Sequence, residues 1–408
     1  MPVWHEKTRD LRASGKLAVL GIVEEQHADR ARLFVQWKGI DWPVLGDPVG
    51  LTGVGVVPIL LLVDEQGVIR HVGSPAQDPG PLLAAFLADT SEPEREKAQP
   101  AMPRRPDLAL LERRAREGGA PAWRELGDAL VLWERDPGCA VTAYETAARL
   151  AAPDAALEFR LGVAYRMRHD SLAGPPGDFA RAVAAWEDAL GASPNNYIWR
   201  RRIQQYGPVS AKPYPFYDWV EQARREIAAR GETPIALAVE PRGAELAAPM
   251  RGARLGATEE PEPDPEGRIA RDPGQLVLAE ATAVPGAVAP GGSTRIHLDL
   301  RPKGASDAHW NNEAGGVVLW AALPAGWAAD PRRAELGNPA PRVGTVSDEP
   351  RHLEFEAHCP EKVSAGEVEI RAYVLYYVCE GRQGRCLYRR QDVTVPLRVT
   401  GALDVTSR

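Results

Sequence analysis

The chain has 408 residues, 44% of them hydrophobic, which is enough for about two to four domains with cores of their own and argues against a small disulfide-stapled scaffold. The formal net charge is -7, and basic and acidic residues are mixed along the chain, so neither nucleic acid nor an anionic membrane is indicated as a partner. Of the 4 cysteines, only Cys379 and Cys386 are close in sequence, which predicts one specific redox or structural bond.

The apolar run at residues 54–63 is the longest in the chain and predicts a buried strand. It reaches only about half of the ~20 residues that a membrane helix needs and contains Pro58, so we expect no membrane span. Residues 1–15 lack the apolar core and the cleavage pattern of a signal peptide, and the chain itself does not indicate a localisation. It carries no signature for a nucleotide, flavin or haem, and we expect no cofactor.

Apolar runs and helical stretches alternate over residues 1–90, which predicts an α/β layer fold. The turn "DEQG" predicts a hairpin, because Gly67 can take a positive φ. Pro58 stands at the entry to the strand "ILLLVD", where an X-Pro bond can be cis at low cost. The plainer alternative is that Pro58 only ends the preceding loop.

The stretches "LAVLGIV", "WPVLGDP" and "GVVPILLLVDEQGVIRHVG", with the helix that follows, resemble the thioredoxin-like redoxins of the TlpA and peroxiredoxin type. The resemblance implies that Pro58 is the cis-proline facing the active-site disulfide. Family members carry a CxxC pair shortly before a proline that Pro2 matches, whereas the first cysteine here is Cys139. We therefore expect either a start that lies upstream, with a signal peptide and a periplasmic or extracytoplasmic location, or a degenerate, cytoplasmic fold used for binding.

A charged, proline-rich stretch predicts a linker at residues 91–107, and a helical domain follows at residues 108–230. Small and aromatic residues recur there in two copies: Trp123, Leu126, Gly127, Ala140, Tyr144, Ala147 and Pro153, then Leu161, Gly162, Tyr165, Ala182, Trp186, Ala189 and Pro194. The spacing resembles tetratricopeptide repeats, which implies a groove for a protein partner; the alternative is a helical spacer. Cys139 stands at a helix start, where a thiol pKa can be lowered, but we expect a small buried residue.

Residues 231–277 predict an extended segment and a second linker, and period-two runs at residues 278–402 predict an antiparallel β-sandwich of immunoglobulin-like type. The last two runs predict a hairpin with Cys379 and Cys386 at its two strand ends. Opposed residues there have Cα atoms ~4.5 to 5.5 Å apart, which a disulfide accepts. A ring this short contributes about 2.5 kcal/mol, a small gain for a domain of this size. The nearby positive charges favour a thiolate: Arg382, Arg385, Arg389 and Arg390.

The stretch "AYVLYYVCEGRQGRCLYRRQDVTVPL", with "HWNNEAGGVVLWAALPAGW" upstream, resembles the N-terminal domain of DsbD-type thiol:disulfide interchange proteins. The resemblance implies that Cys379 and Cys386 form a reversible disulfide that relays electrons to or from protein thiols and disulfides, with Cys386 as the sulfur exposed to partners. Because the chain shows no transmembrane segment that supplies electrons, we expect the donor or acceptor to be a separate protein. The sequence as a whole therefore predicts a multidomain chain. Its first domain is α/β and thioredoxin-like but truncated at the N-terminus, its middle domain is all-α, and its last domain is all-β.

Other interpretations stay open at this stage. The cysteine pair can be a static disulfide, in which case the chain is a non-catalytic scaffold for protein contacts. A zinc site is another alternative. Four residues are of types that bind zinc, although their spacing matches none of the usual zinc-knuckle motifs: His358, Cys359, Cys379 and Cys386. Cys359 itself is either a buried strand residue or a resolving thiol. A polar loop either lines a carbohydrate or peptide pocket or only joins two strands: His309, Trp310, Asn311 and Asn312.

Overall fold

The computed structural model describes residues 2–88, 105–172, 174–248, 261–339, 347–381 and 384–401, and it mixes helices with strands. The chain divides into two compact units. The first unit contains Met1–Met167, Asn195–Arg200 and Trp219–Glu240, and the second contains Arg168–Pro194, Arg201–Asp218 and Pro241–Arg408. The helical stretch predicted at residues 108–230 therefore contributes to both units. Most of the linker predicted at residues 91–107 lies outside the described residues.

The first unit begins with short elements in the order α1 Pro2–Lys7, α2 Arg9–Ala13, β1 Gly21–Val23, α3 Ala28–Lys38, β2 Val44–Gly46, β3 Leu60–Val63, β4 Ile69–Gly73 and α4 Pro79–Ala88. β1 pairs with β2 in parallel, and β3 pairs with β4 in antiparallel fashion, as two separate two-stranded sheets. Gly67 has a φ of 81° between β3 and β4, which confirms the predicted hairpin.

Residues 54–63 are not the buried strand that their apolar character predicts. Only Leu60–Val63 form a strand, and Leu61 and Val63 are 42% and 46% exposed. In the described part of the chain β3 pairs with β4 alone, so this sheet has only two strands and one of its faces meets solvent. The prediction was wrong because an apolar run does not reveal whether a second layer covers it.

Helices follow in the order α5 Leu108–Glu117, α6 Ala120–Ala129, α7 Pro137–Leu150, α8 Ala155–Asp170, α9 Asp178–Ala192, α10 Tyr197–Tyr206 and α11 Trp219–Ala229. Within the first unit, α6 crosses α7 closely, because a Cβ at Gly127 would lie only 2.4 Å from Tyr144 Cε1. Tyr144 is fully buried there and donates a hydrogen bond to Asp128 Oδ1 at 2.7 Å. Near the end of the same unit, Trp219 on α11 stacks on Trp37 of α3 with ring centroids 5.8 Å apart.

The second unit is built around strands β5 Val277–Val284, β6 Ala287–Val288, β7 Ser293–Pro302, β8 Ala308–Trp310, β9 Val317–Ala322, β10 Ala328–Asp330, β11 Arg333–Leu336, β12 Arg351–His358, β13 Gly366–Glu380 and β14 Cys386–Val399. They form one sheet in the order β10-β12-β7-β5 and another in the order β11-β9-β13-β14-β6, with β8 added beside β13. Apolar side chains from both sheets form one core, as Leu298, Phe355, Val374 and Leu397 illustrate.

The predicted final hairpin is present, because β13 and β14 pair without a break from Gly366↔Val399 to Cys379↔Cys386. Among the described residues, no helix has the length and apolar character needed to cross a membrane.

Candidate functional site

The cysteine pair joins β13 and β14 at the loop end of their hairpin. Cys379 and Cys386 are joined by a disulfide, and their Cα atoms are 3.9 Å apart. One residue further along, the Glu380 N–H donates to Arg385 O at 3.2 Å. The loop needs both of its glycines: Gly381 has a φ of 70°, and a Cβ at Gly384 would overlap the carbonyl oxygen of Glu380 at 1.2 Å.

The two cysteines differ in exposure although they are bonded. Cys379 is only 5% exposed, since it lies within the sheet between neighbouring strands. Cys386 is the first residue of β14 and is exposed. Two residues along each strand on the same face, Tyr377 and Tyr388 stack with ring centroids 4.3 Å apart. The disulfide therefore has one sheltered end and one end that a partner can reach.

His309 is a neighbour of the pair that sequence reasoning missed. It stands directly opposite Cys379 in the register of β8 with β13, so Cys379 has Cys386 on one side and His309 on the other. Opposed residues on one face are close enough for their side chains to interact. No linear signal connects positions so far apart in the chain, because the pairing of β8 beside β13 brings them together.

The arginines around the pair differ in what they offer. Arg385 is exposed in the loop, while Arg382 lies outside the described residues. Arg390 is engaged elsewhere, since it lies 3.0 Å from Asp264 Oδ2 and its guanidinium sits 3.7 Å from the Tyr373 ring centroid. Arg389 donates to the carbonyl of its neighbour Tyr388 at 3.3 Å. Among the described arginines of this group, Arg385 is therefore the one that lies in the loop beside the cysteine pair.

Of the polar loop predicted at residues 309–312, the first two residues belong to strand β8, and internal contacts hold the whole segment. Trp310 is buried, and its indole N–H donates to Glu349 O at 2.8 Å. The guanidinium of Arg351 covers the Trp310 ring at 4.3 Å and donates to Asn312 Oδ1 at 2.5 Å. The Asn311 side chain accepts from the Glu313 N–H at 3.1 Å. These contacts join two strand ends and are typical of a structural loop.

Pro58 precedes β3 and is exposed, and the peptide bond Val57–Pro58 is cis, like Val284–Pro285 and Asp330–Pro331. Pro2 is the first residue of α1. Cys139 is the only cysteine in the sequence of the unit that contains them.

Cys139 is exposed rather than buried. It lies in the first turn of α7, where its backbone N–H donates to the capping Asp136 at 2.9 Å. The same Asp136 carboxylate raises the pKa of the Cys139 thiol, so the helix start does not activate it. Cys359 is buried at 5% exposure but lies just beyond β12 rather than in a strand, and burial raises the pKa of its thiol. The zinc set with His358 and Cys359 is not available in this structure, since the other two cysteines form the disulfide.

A second cluster, also missed from sequence, lies on one face of the paired strands β7 and β12. The register places Arg295 opposite Glu356, His297 opposite Glu354, and Asp299 opposite His352. The apolar residues between them point into the core, so the period-two patterns "RIHLD" and "RHLEFE" put the ionisable side chains on the other face. That face is not solvated: the side chains of His297, Asp299, His352 and Glu354 are 3%, 5%, 9% and 5% exposed.

Hydrogen bonds satisfy this buried cluster. Burial alone raises the pKa of Asp299, but His352, His169 and Arg242 outweigh it and hold that pKa well below its usual range. Arg242 Nη2 lies 2.9 Å from Asp299 Oδ1, and His169 Nε2 lies 3.4 Å from Asp299 Oδ2. Among the described residues, one group has ligand atoms placed to hold a metal ion, and it is part of this cluster: His297, His352 and Glu354.

No protein-family model and no curated protein matches the chain. Among solved structures, it is similar at 12% identity to AvmM, which catalyses macrocyclization in alchivemycin A biosynthesis, over 31% of this chain and 90% of that one with a TM-score of 0.20. It is similar at 11% identity to PapD-like domain 7 of human CEP192, over 36% and 97% with a TM-score of 0.17. The Pseudomonas fluorescens alkylpurine DNA glycosylase AlkC matches at 11% identity over 72% and 64%, with a TM-score of 0.15. At these TM-scores the likenesses carry no argument about function.

Proposed function

We propose that the chain is a thiol:disulfide exchange protein whose redox centre is the Cys379–Cys386 pair. The observation that carries the proposal is the unequal exposure of the two cysteines, 5% for Cys379 against an exposed Cys386. Exchange needs one sulfur that meets the partner and a second one, protected from other thiols, that resolves the mixed disulfide. The hairpin supplies both at bonding distance.

The exchange has two steps. The Cys386 thiolate attacks one sulfur of a partner's disulfide, forms a mixed disulfide, and releases the partner's other sulfur as a thiolate that takes up a proton. Cys379 then loses its proton and attacks Cys386 Sγ, which forms the intramolecular bond and releases the partner's second thiolate. The partner gains two electrons and two protons while the pair is oxidised. A separate protein dithiol reverses the sequence and restores the reduced pair.

The residues around the pair support this assignment. Arg385 lies in the loop beside the exposed sulfur, and positive charge favours a thiolate over a thiol. His309 stands opposite Cys379 and places an imidazole in the strand beside the sheltered sulfur. The short loop, which only glycines at positions 381 and 384 permit, keeps bulky side chains from those two positions beside the sulfurs.

The finer fold assignment belongs to the same proposal. The two sheets of the second unit fit an immunoglobulin-like sandwich similar to the DsbD N-terminal domain, in which the cysteine hairpin is the redox element. The helices are proposed to be tetratricopeptide-like repeats that hold a protein partner, supported by the buried small and aromatic residues at repeat positions, such as Gly127 against Tyr144. Residues 1–90 are proposed to be a thioredoxin-like domain without its CxxC pair.

The test is a redox titration of the full chain in glutathione buffers, followed by acid quenching, alkylation and mass analysis of the peptide that contains each cysteine. We expect Cys379 and Cys386 to switch together with a midpoint between about -120 and -270 mV, the range of exchange proteins. The double variant Cys379→Ser/Cys386→Ser is the control and removes the transition. If the pair stays oxidised down to about -300 mV or below, it is a static structural disulfide. The non-catalytic scaffold then replaces the exchange protein.

A further inference from the structure

Three potential ligand atoms converge on one point in the buried cluster between β7 and β12. Glu354 Oε1 lies 3.1 Å from His297 Nδ1 and 2.5 Å from His352 Nε2, and all three atoms lie within 4.8 Å of one another. Two imidazole nitrogens and one carboxylate oxygen are a common ligand set for zinc and for other divalent first-row metals.

The hydrogen bonds behind these side chains determine which nitrogen of each imidazole can coordinate a metal ion. His297 Nε2 lies 2.7 Å from the carbonyl oxygen of Tyr206, which can only accept, so this nitrogen carries a proton and Nδ1 of the neutral ring has a lone pair. His352 Nδ1 lies 2.9 Å from Asp299 Oδ1, so Nε2 is the nitrogen that can coordinate, in place of its hydrogen bond to Glu354 Oε1. A carbonyl or carboxylate behind each imidazole is the arrangement that orients histidines on metal ions.

The third ligand is oriented in the same way. Glu354 Oε2 accepts from Arg295 Nε at 2.5 Å and from the Ala244 N–H at 2.7 Å, which turns Oε1 towards the two imidazoles. Once a metal ion has displaced the protons from both converging nitrogens, the charged groups in contact here are three carboxylates and two guanidiniums, which leaves one net negative charge to meet the cation: Asp299, Glu354, Glu356, Arg242 and Arg295. Without a metal ion, the short contact between His352 Nε2 and Glu354 Oε1 is a hydrogen bond, and a bound metal ion takes the place of its proton.

We propose that His297, His352 and Glu354 bind one divalent transition-metal ion, with zinc as the favoured metal. A tetrahedral zinc ion holds neighbouring ligand atoms about 3.3 Å apart, so Glu354 Oε1 and His352 Nε2 move apart by under ~1 Å, while His297 Nδ1 already lies 3.1 Å from Glu354 Oε1. Because the three side chains are 3% to 9% exposed, the ion has little access to substrate. Its role is structural, as a link between strands β7 and β12.

The first test uses the wild-type chain after removal of metal with a chelator and checks by circular dichroism that it remains folded. Cobalt(II) is then titrated in, and its d–d absorption is followed before displacement by zinc. We expect one cobalt per chain, a tetrahedral spectrum without the thiolate charge-transfer band that cysteine ligands give, and a higher melting temperature with zinc. A folded wild-type chain that binds no cobalt or zinc overturns the proposal.

Variants then locate the site. We expect His352→Gln to abolish cobalt binding, and Asp299→Asn, which keeps all three ligands but changes the group behind His352, to weaken it about 10- to 100-fold. His71→Gln is the matched control, since His71 lies in the first unit and contacts Gln77, and it keeps full affinity. Undiminished binding by a folded His352→Gln chain contradicts the assignment. If that variant does not fold, the stoichiometry and spectrum of the wild-type chain decide.

Discussion

Cys379 and Cys386 face each other across β13 and β14, yet the first is 5% exposed and the second is open to solvent. A disulfide joins two equivalent sulfurs, so a difference between them can arise only from their surroundings. Here the difference arises because Cys379 lies inside a run of pairing with strands on both sides, β14 and β8, whereas Cys386 stands where β14 begins.

The first prediction concerns the alkylation rates of the reduced protein. We expect iodoacetamide to modify Cys386 at least about 10-fold faster than Cys379, because access limits the reaction of a sheltered thiol. A time course with mass analysis of each cysteine peptide measures both rates in one sample. The exposed Cys139 and the buried Cys359 serve as internal standards for fast and slow alkylation. Equal rates for Cys379 and Cys386 would remove the basis for their separate roles.

The second prediction concerns trapping of the mixed disulfide. With oxidised glutathione, Cys379→Ala is expected to accumulate a stable adduct at Cys386, because the resolving sulfur is gone. Cys386→Ala leaves only the sheltered Cys379 of the pair. We expect its adduct at Cys379 to form at least about 10-fold more slowly. Intact mass measured over time after acid quenching follows both reactions. A faster adduct in Cys386→Ala would reverse the assigned order of attack.

The third prediction tests the close approach of α6 and α7. Gly127→Ala places a Cβ 2.4 Å from Tyr144 Cε1, and Tyr144 is fully buried and cannot move away without loss of packing. We expect a loss of about 1 to 3 kcal/mol in the free energy of unfolding. Urea denaturation followed by circular dichroism measures it.

Gly191→Ala is the control for this prediction, because Gly191 is also helical and a Cβ there meets nothing within 4 Å. It is expected to leave stability unchanged or raise it by up to ~1 kcal/mol, since alanine is the better helix former. If both variants lose the same stability, the close contact with Tyr144 is not the cause of the loss in Gly127→Ala.

Local patterns predicted the parts of the fold that depend on neighbouring residues. The turn at Gly67 and the final hairpin follow from turn residues between alternating runs, and both are present. The exposed face of residues 60–63 could not be predicted, because burial depends on which other layer is present, and the short sheets of the first unit leave it open.

The candidate sites also depend on strand pairing and burial that the sequence alone does not reveal. The sequence pointed to Cys379 and Cys386 because they are seven positions apart, but His309 reaches Cys379 only through the pairing of β8. The pattern "RIHLD" does place His297 and Asp299 on one face of a strand. An alternating polar face normally meets solvent, however, and its burial here depends on chain segments such as Tyr206, whose carbonyl contacts His297.

The last prediction concerns Asp178, whose side chain is fully buried at the start of α9. It lies 2.7 and 2.8 Å from Arg168 and 3.1 Å from Arg181 Nε. Burial alone raises the pKa of Asp178, but the hydrogen bonds and charges of both arginines outweigh it, so the pKa lies below its usual 3.8. The folded state then holds this proton less tightly than the unfolded state does. Its stabilising effect is present above the usual pKa and is lost as the pH falls through the folded pKa.

We therefore expect Asp178→Asn to destabilise the chain by about 3 to 5 kcal/mol at pH 7, because it leaves Arg168 without its buried carboxylate. The difference in stability between the variant and wild type is expected to shrink as the pH falls below about 4, because the wild-type carboxyl becomes protonated and is then neutral like the asparagine amide. Urea denaturation at a series of pH values from neutral to acid measures it. Asp41→Asn is the control, since Asp41 pairs with Arg12 at the surface and its loss is expected to change stability little. If the wild-type and Asp178→Asn curves run parallel down to the acid end, the ion pair does not set the acid dependence of folding.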